Sequence, residues 1–585
     1  MRRQFPVRAL SLLLASHLCA TATPADEPLR LKSLQRCGDL FAATKLTFCL
    51  RSEGLGSETP RVLLAGQPLP AEQIERNGET LRLRLHSRAH ASGPLWLEQQ
   101  QRRSNPVWLS LGGSQVRAAG PNEVATNMDG LTTYVNLVSV IIEEDLDALD
   151  TARQLADKYD AELVGAIAPL NTYQLRLPVS NLTERDALVL RLGNEVGVDA
   201  VVIEESGAEA AERDDGDKKP QTSEWAANRF LDAVHYYRQR INARQAPVET
   251  EPLRIGVIER NVDFDTPAFA DYLTPCKADE RRTCLYARDG DAPDSHGSSV
   301  AGILAARGQE AQDMGFLSAL DGVGPGFEVI VERNSDAGIT ANIAASVNLV
   351  EDGVRILNWS WGIHRIGTLD VEGEPVDSLL RSGIAMSGYE ELLEEFFLWL
   401  RREHPDVLVI NSAGNGSARS GRDDYRLPSS FITEQLLVVG GHQLSDKREL
   451  PVEHPDYVKK RRSSNVDMRV DITAAACTRA ATRDGKAPGE VHCGTSYATP
   501  LVAGAVASML SVNPRLEPEQ VRELLRRSAM TIGADFEAAE ADDLTAPILP
   551  SERNYQLDNR DVGRSARLDM RKALELAVDS LQHRR

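Results

Sequence analysis

The segment Cys493-Gly494-Thr495-Ser496-Tyr497-Ala498-Thr499-Pro500-Leu501-Val502-Ala503-Gly504 limits the fold more tightly than any other part of the chain. Its small residues let backbone come close to a ligand or a neighbouring element, and Ser496 stands where a helix begins. Pro500 reads as an early helix position, where a missing N–H is tolerated. Such a segment presents a serine hydroxyl to a cleft. A capping serine explains any lone Ser-x-x-Pro equally well, so the weight of the segment depends on partners elsewhere.

The residues around it alternate between buried-strand and helical patterns. Strands are expected at Ile255 to Ile258, Val329 to Val331, Ile356-Leu357, Val407 to Ile410 and Leu436 to Val439. Helices fit at Ser298 to Ala306, Ile339 to Glu351, Tyr389 to His404, Tyr497 to Ser511 and Pro518 to Ser528. Strands and helices in alternation argue for an α/β domain with a parallel sheet covered on both faces. This domain is expected to span 223–580, with a helix running from Ser223 through Trp225, Phe230 and Tyr237 toward Arg244.

Upstream, residues 26–120 carry short strand-like runs punctuated by Gly, Pro and Asn. Leu81, Leu83 and Leu85 alternate strictly, as in a half-buried strand, so a small β-sandwich module is expected there. Residues 132–205 follow a β-α-β-β-α-β order, the split βαβ or ferredoxin-like layout. Residues 206–222 are acidic and nearly free of bulky apolar side chains, which reads as an exposed linker.

Arg2, Arg3 and Arg8 precede an apolar stretch from Ala9 to Ala20, and Ala20-Thr21-Ala22 is a small-residue cleavage site. Residues 1–22 are therefore expected to be a signal peptide and the chain to be exported, to periplasm or medium. Beyond that segment no run reads as a membrane span. Of the 7 cysteines, six lie outside the signal, an even number in an exported chain. They fall as near neighbours, and local bridges Cys37–Cys49, Cys276–Cys284 and Cys477–Cys493 are one pairing that the spacing suggests. A formal net charge of -20 argues against a nucleic-acid partner, and the basic cluster Lys459-Lys460-Arg461-Arg462 reads as a solvated loop.

Acyl transfer from a peptide needs a hydroxyl nucleophile, a neutral imidazole, a group that orients it, and donors for the oxyanion. His296, in Ser295-His296-Gly297-Ser298-Ser299-Val300-Ala301-Gly302-Ile303, falls at an expected helix N-terminus, where the dipole favours a neutral ring. Asn415, in Ser412-Ala413-Gly414-Asn415-Gly416, follows a buried strand; an Asn-Gly pair is also an ordinary turn. Taken together, the Gly-Thr-Ser-x-Ala-Thr-Pro segment, the His-Gly-x-x-Val-Ala-Gly-Ile segment and the Asn segment resemble the subtilisin-like serine proteases. The resemblance covers about residues 134–578, and the chain order acid, His, Ser is that of the same family.

The resemblance implies Ser496 as nucleophile, His296 as base and Asn415 as oxyanion donor. It also implies that Ser360-Trp361-Gly362 pairs with substrate backbone, with Trp361 either lining a pocket or packed in the core. Just upstream of such a domain, the ferredoxin-like segment looks like an inhibitory propeptide, and the linker like its processing region. One position departs from the pattern: where the family has Asp, this chain reads Val257-Ile258-Glu259, and Glu259 is the expected acid, with Asp263 or Asp265 as alternatives.

The expected activity is that of a serine endopeptidase made as a proenzyme, acting on proteins or peptides. A catalytically impaired relative that binds peptides or a partner, or a protease limited to self-processing, are the alternatives that the Glu259 exchange leaves open. No cofactor is required for the chemistry. Structural calcium is an open possibility that loops such as Asp289-Gly290-Asp291 do not support by ligand spacing, and no metal ligands are assigned.

Overall fold

Parallel strands with nearly continuous apolar burial make up the centre of the molecule. In spatial order they are Thr283–Ala287, Phe327–Glu332, Leu253–Ile258, Ile356–Trp359, Leu408–Ser412, Leu436–Leu444 and Ile472–Ala475. Val257, Ile356 and Val409 are fully buried, as strands covered on both faces require. The computed structural model describes residues 28–42, 44–206, 220, 223–244, 251–259, 261–276, 282–287, 295–308, 314–332, 338–370, 373–376, 380–418, 426–465, 470–479, 491–532 and 565–581. The signal segment 1–22, the linker except residues 206 and 220, and the acidic loop 289–291 lie outside the described residues.

Strand order reverses between Leu253–Ile258 and Ile356–Trp359, since the chain visits Thr283–Ala287 and Phe327–Glu332 on one side before crossing to the other. Loops leaving these two strands diverge, and the crevice between them at the strands' carboxyl ends is where open α/β sheets bind ligands. On one face pack helices Phe230–Arg244, Ser295–Ala305, Thr495–Val512, Pro518–Ser528 and Met570–Ser580; on the other, Gly338–Glu351 and Gly383–Glu403. Helix Thr495–Val512 is long and apolar enough to cross a membrane, contrary to the sequence reading, but 83% of it is buried inside the fold. Leu501, Val502 and Met509 are fully buried there, each stabilising the core by about 1.5–3 kcal/mol.

The N-terminal strands form two layers. Arg30–Arg36, Lys45–Glu53, Thr80–His86 and Ile74–Asn77 make one antiparallel sheet, with Leu81, Leu83 and Leu85 inward and Arg82 and Arg84 outward. The facing layer, Val107–Leu109, Gly93–Gln99 and Arg61–Leu64, is not free-standing. Val107 pairs with Ala287, so this layer continues the central sheet. Trp108 packs against Tyr286 at 5.6 Å between ring centroids, and its Nε1 donates to Asp352 Oδ2 at 2.8 Å.

Strands Val198–Ser206, Thr132–Ile142, Thr172–Arg176 and Glu162–Ile167 lie side by side in that order, all antiparallel, with helices Ala148–Lys158 and Leu182–Leu192. Consecutive glutamates at the end of this sheet reach the starts of two helices of the central domain. The Glu204 carboxylate accepts from the backbone N–H of Thr340 (2.8 Å) and Ile339 (3.3 Å), from the Thr340 hydroxyl, and from Tyr389 Oη (2.9 Å). Glu205 accepts from the backbone N–H and hydroxyl of Ser382, both at 2.9 Å, where Gly383–Glu403 begins. Negative charge at a helix N-terminus meets unpaired N–H groups and the positive end of the dipole.

Two local expectations are corrected. The helix expected from Ser223 to Arg244 breaks at Arg229, which adopts a left-handed φ of 57° between the short 3-10 turn Trp225–Asn228 and Phe230–Arg244. The basic cluster is not a solvated loop: Val458–Lys460 is a strand paired with Leu436–Leu444, and Arg461 is buried, donating to Ser463 Oγ at 3.1 Å.

Burial lifts the Asp352 carboxyl to about 6, against hydrogen bonds from Ser92, Trp108 and Ser110 that lower it. Burial lifts Glu351 to about 7, with Asp352 and Glu403 adding to the effect. Both groups hold protons in the folded chain at pH values where the unfolded chain releases them. Their contribution is present below about pH 4 and is lost as pH rises through about 6 to 7. Heat unfolding followed by tryptophan fluorescence is expected to show Asp352→Asn, which keeps an acceptor for Trp108, faring better against the wild type at pH 8 than at pH 5, because the variant has no proton to lose there.

Candidate active site

The sequence-derived candidates converge on the crevice at the strand reversal. Glu259 directly follows Leu253–Ile258, Ser360 follows Ile356–Trp359, and the 413–418 loop follows Leu408–Ser412. His296 lies in the first turn of Ser295–Ala305 and Ser496 in the first turn of Thr495–Val512.

Glu259 Oε2 lies 3.1 Å from His296 Nδ1. The carboxylate side chain is 9% exposed and the imidazole 36%, so the pair has a buried end and an open end. A carboxylate only accepts, which puts the ring proton on Nδ1 and leaves Nε2 with its lone pair. The Glu side chain thus reaches the ring from the end of Leu253–Ile258. Asp265 instead pairs with Arg30, and Asp263 Oδ1 accepts from the Asp265 N–H at 3.1 Å. The His296 ring also meets Tyr497, the neighbour of Ser496, at 5.3 Å between centroids.

Pro500 lies in the second turn of its helix rather than the first, which corrects the sequence reading. A residue there normally donates its N–H to the carbonyl of Ser496, and proline has none. The Ser360 hydroxyl donates to that oxygen instead, at 2.8 Å, while Ser496 Oγ donates to the Ser360 carbonyl at 3.2 Å. This reciprocal pair ties the serine helix to the neighbouring strand end. Asn411 Nδ2 fixes the same strand end from the other side, donating to the carbonyls of Trp359 (2.9 Å) and Trp361 (2.7 Å). The Trp361 ring is half-buried, 5.0 Å from that of Trp359, and Gly362 follows it into the cleft wall.

Asn415 is exposed, and its Oδ1 accepts from Thr495 N–H (2.9 Å) and Oγ1 (3.1 Å). That network assigns the acceptor side of the amide to Thr495 and leaves the NH₂ as a donor. A Cβ on Gly494 would come within 3.0 Å of Asn415 Nδ2, so a glycine is needed for this approach.

The loop is held from beneath by Asn465, which the sequence reading missed. Asn465 Oδ1 accepts from Gly416 (3.0 Å) and Ala418 (2.9 Å), and its Nδ2 donates to Ala413 O (2.9 Å) and His364 Nε2 (3.0 Å). Burial, with Arg426 adding, lowers His364 to about 3, so it acts as a neutral acceptor. No local pattern around Ser463-Ser464-Asn465 marks this role; only tertiary contact reveals it.

Disulfides join Cys37 to Cys49, Cys276 to Cys284 and Cys477 to Cys493. The last spans the paired strands Cys477–Arg479 and Val491–Cys493 and ends one residue before Gly494. The second ties Cys276 to the strand Thr283–Ala287.

With this geometry in place, the comparisons with known proteins fall into line. The profile described as Subtilase family, Peptidase S8, matches residues 252–564, just over half of the chain, and the chain belongs to that family. A probable subtilase-type serine protease of Deinococcus radiodurans is 27% identical over 242 residues, covering 40% of this chain and 28% of the relative. Subtilisin DY of Bacillus licheniformis is 25% identical over 256 residues, covering 43% of this chain and 75% of the relative. Among solved structures, fervidolysin from Fervidobacterium pennivorans, described as a keratinolytic enzyme related to subtilisin, aligns at 15% identity and a TM-score of 0.46. That alignment covers 80% of this chain and 64% of that one.

Asn465→Ala is expected to release the 413–418 loop and lower kcat on a peptide substrate by about a hundredfold, with little change in KM. Steady-state kinetics beside a heat-unfolding scan separate this effect from global destabilisation.

Proposed function

We propose that this chain is an exported serine endopeptidase made as a proenzyme. In this reading Ser496 Oγ attacks the carbonyl carbon of a peptide bond, and His296 Nε2 takes the hydroxyl proton and passes it to the leaving amine. Glu259 keeps the Nδ1–H side of the ring in place, and Asn415 Nδ2 with the backbone N–H of Ser496 receives the oxyanion. Water then hydrolyses the acyl-enzyme by the same proton path. The observation that carries the reading is the 3.1 Å contact between Glu259 and His296.

At rest, Ser496 Oγ donates to the Ser360 carbonyl. A substrate strand pairing with Ser360-Trp361-Gly362 competes for that carbonyl and frees the hydroxyl to turn toward His296. The ferredoxin-like sheet, seated through Glu204 and Glu205 on the starts of two helices, supports an intramolecular inhibitor that stays docked before the linker is cut. Three disulfides support an oxidising, exported location. The resting Ser496 contact and the Glu259 exchange also favour a second reading, a relative that binds peptides without turnover or processes only itself.

Intact mass of the purified precursor over time, beside Ser496→Ala, separates turnover from peptide binding alone, and cleavage of an added peptide separates the endopeptidase from a protease that processes only itself. The wild type is expected to split between Glu204 and Trp225, and the variant to remain whole. Glu259→Gln is expected to lower turnover by about 10⁴-fold, the loss known when a triad acid becomes an amide. Asn415→Ala is expected to lower it by about 10²–10³-fold, the range known for subtilisin itself. A wild type that stays whole across pH, with or without trace protease, shifts the assignment to the peptide-binding reading.

A further inference from the structure

Arg426 is a charge in the wall of this site that the proposed chemistry does not use. It is 3% exposed, and no carboxylate pairs with it among the described residues. By contrast, buried Arg185 pairs with Asp186 at 2.8 Å, and Arg229 with Asp569 at 3.3 Å. Burial lowers Arg426 to about 9, which still leaves it protonated at neutral pH. Its partners among the described residues are neutral: Nη1 donates to Ser429 Oγ at 2.8 Å and Asn411 Oδ1 at 3.4 Å, and Nη2 to Ser412 Oγ at 3.5 Å. Its Nε has no acceptor among the described residues. A guanidinium carries five N–H donors, so this one is under-satisfied as well as unpaired. The indole Nε1 of Trp361, in the strand end beside it, is likewise buried without an acceptor among the described residues.

The two glycines of the cleft locate the guanidinium. A Cβ on Gly362 would collide with its Nη and Cζ atoms, and a Cβ on Gly414 with its Nε. The group therefore fills the space between the strand end 360–362 and the loop 413–415. This placement matters only through the function proposed above, on which the inference rests. A peptide whose carbonyl meets Ser496 and Asn415, and whose backbone lies along 360–362, sends the side chain just before the cut bond between those same two segments. An apolar side chain there leaves the buried charge unpaired, whereas a carboxylate compensates it with charge-assisted hydrogen bonds.

We infer that Arg426 makes the site select peptides cut after an acidic residue, Glu or Asp. Specificity of this kind comes as much from the unpaired charge left by a wrong side chain as from the pair formed by the right one. Sequence reading missed Arg426 because it lies far from every catalytic motif, and its environment exists only once the strand end and the loop are brought together.

The test separates the two levels of the argument. A fluorophosphonate probe first reads whether Ser496 is a reactive nucleophile, with Ser496→Ala as the blank. Matched peptides differing only in the residue before the cut bond (Glu, Gln, Leu or Lys) are then followed by mass spectrometry. We expect kcat/KM for Glu to exceed that for Gln by about ten- to a hundredfold, with Lys the poorest substrate. Arg426→Gln is expected to bring the Glu-to-Gln ratio near one, and Arg426→Lys to keep a preference for Glu. A labelled wild type that cuts equally well after Leu, Gln and Glu overturns the inference and leaves the proposed function standing, whether or not the variants fold. If the protein neither labels nor cuts, the proposed function fails. Fluorescence anisotropy with Glu-ended and Gln-ended peptides then decides the inference: tighter binding of the Glu-ended peptide upholds the carboxylate site, and equal binding overturns it.

Discussion

A proline in the second turn of a buried helix leaves the carbonyl of Ser496 without its helical donor, and the geometry of the cleft depends on how that oxygen is satisfied. The Ser360 hydroxyl takes the place of the missing N–H, and Ser496 Oγ answers by donating to the Ser360 carbonyl. Two strong hydrogen-bonding groups on each side make the junction specific in distance and direction. The serine helix is thereby locked to the end of Ile356–Trp359, one of the two strands at which the sheet order reverses. Acid, imidazole and amide donor then arrive from neighbouring strand ends and helix starts, on elements already held rigid by the core.

Charges are buried at the joints between layers, and each is treated differently. Glu204 enters the interface between the ferredoxin-like sheet and the central domain with its oxygens met by N–H groups and hydroxyls of Thr340 and Tyr389. Burial still raises its pKa, so the joint carries an electrostatic cost that the hydrogen bonds offset only in part. Asp352 is placed where the N-terminal sandwich meets the central sheet and receives the Trp108 indole. Arg426 has no carboxylate partner among the described residues. Its guanidinium stands beside the cleft, against Gly362 and Gly414.

The N-terminal sandwich changes the meaning of a domain boundary in this chain. By sequence it looks self-contained, with its own alternating strands and its own disulfide, Cys37–Cys49. In the structure one of its layers extends the central sheet across Val107 and Ala287. Adding strands at that edge covers backbone groups of Thr283–Ala287 that otherwise form an open sheet edge. Tyr286, Trp96 and Trp108 fill the seam with aromatic contacts.

Much of the site was legible locally because its chemistry is carried by short segments whose steric demands are written into residue type. Small residues around Ser496, the glycine after His296 and the Asn-Gly pair each announce a close approach or a tight turn, and apolar runs announce buried strands. Helix ends were less legible: Gly383–Glu403 begins six residues before the apolar pattern suggests, because Ser382 caps it and Glu205 of a distant sheet supports that cap. The choice of Glu259 over Asp263 and Asp265 as the partner of His296, the support of the 413–418 loop by Asn465, and the isolation of Arg426 belong to tertiary structure alone. Each is a relation between residues far apart in the chain, set by where the strand order reverses and by which groups packing shields from water. The sequence by itself determined the elements, the family resemblance and the candidate groups, since periodicity and local sterics act within a few residues. Packing decided which candidates meet, because hydrogen-bond partners and dielectric environment exist only in the folded chain.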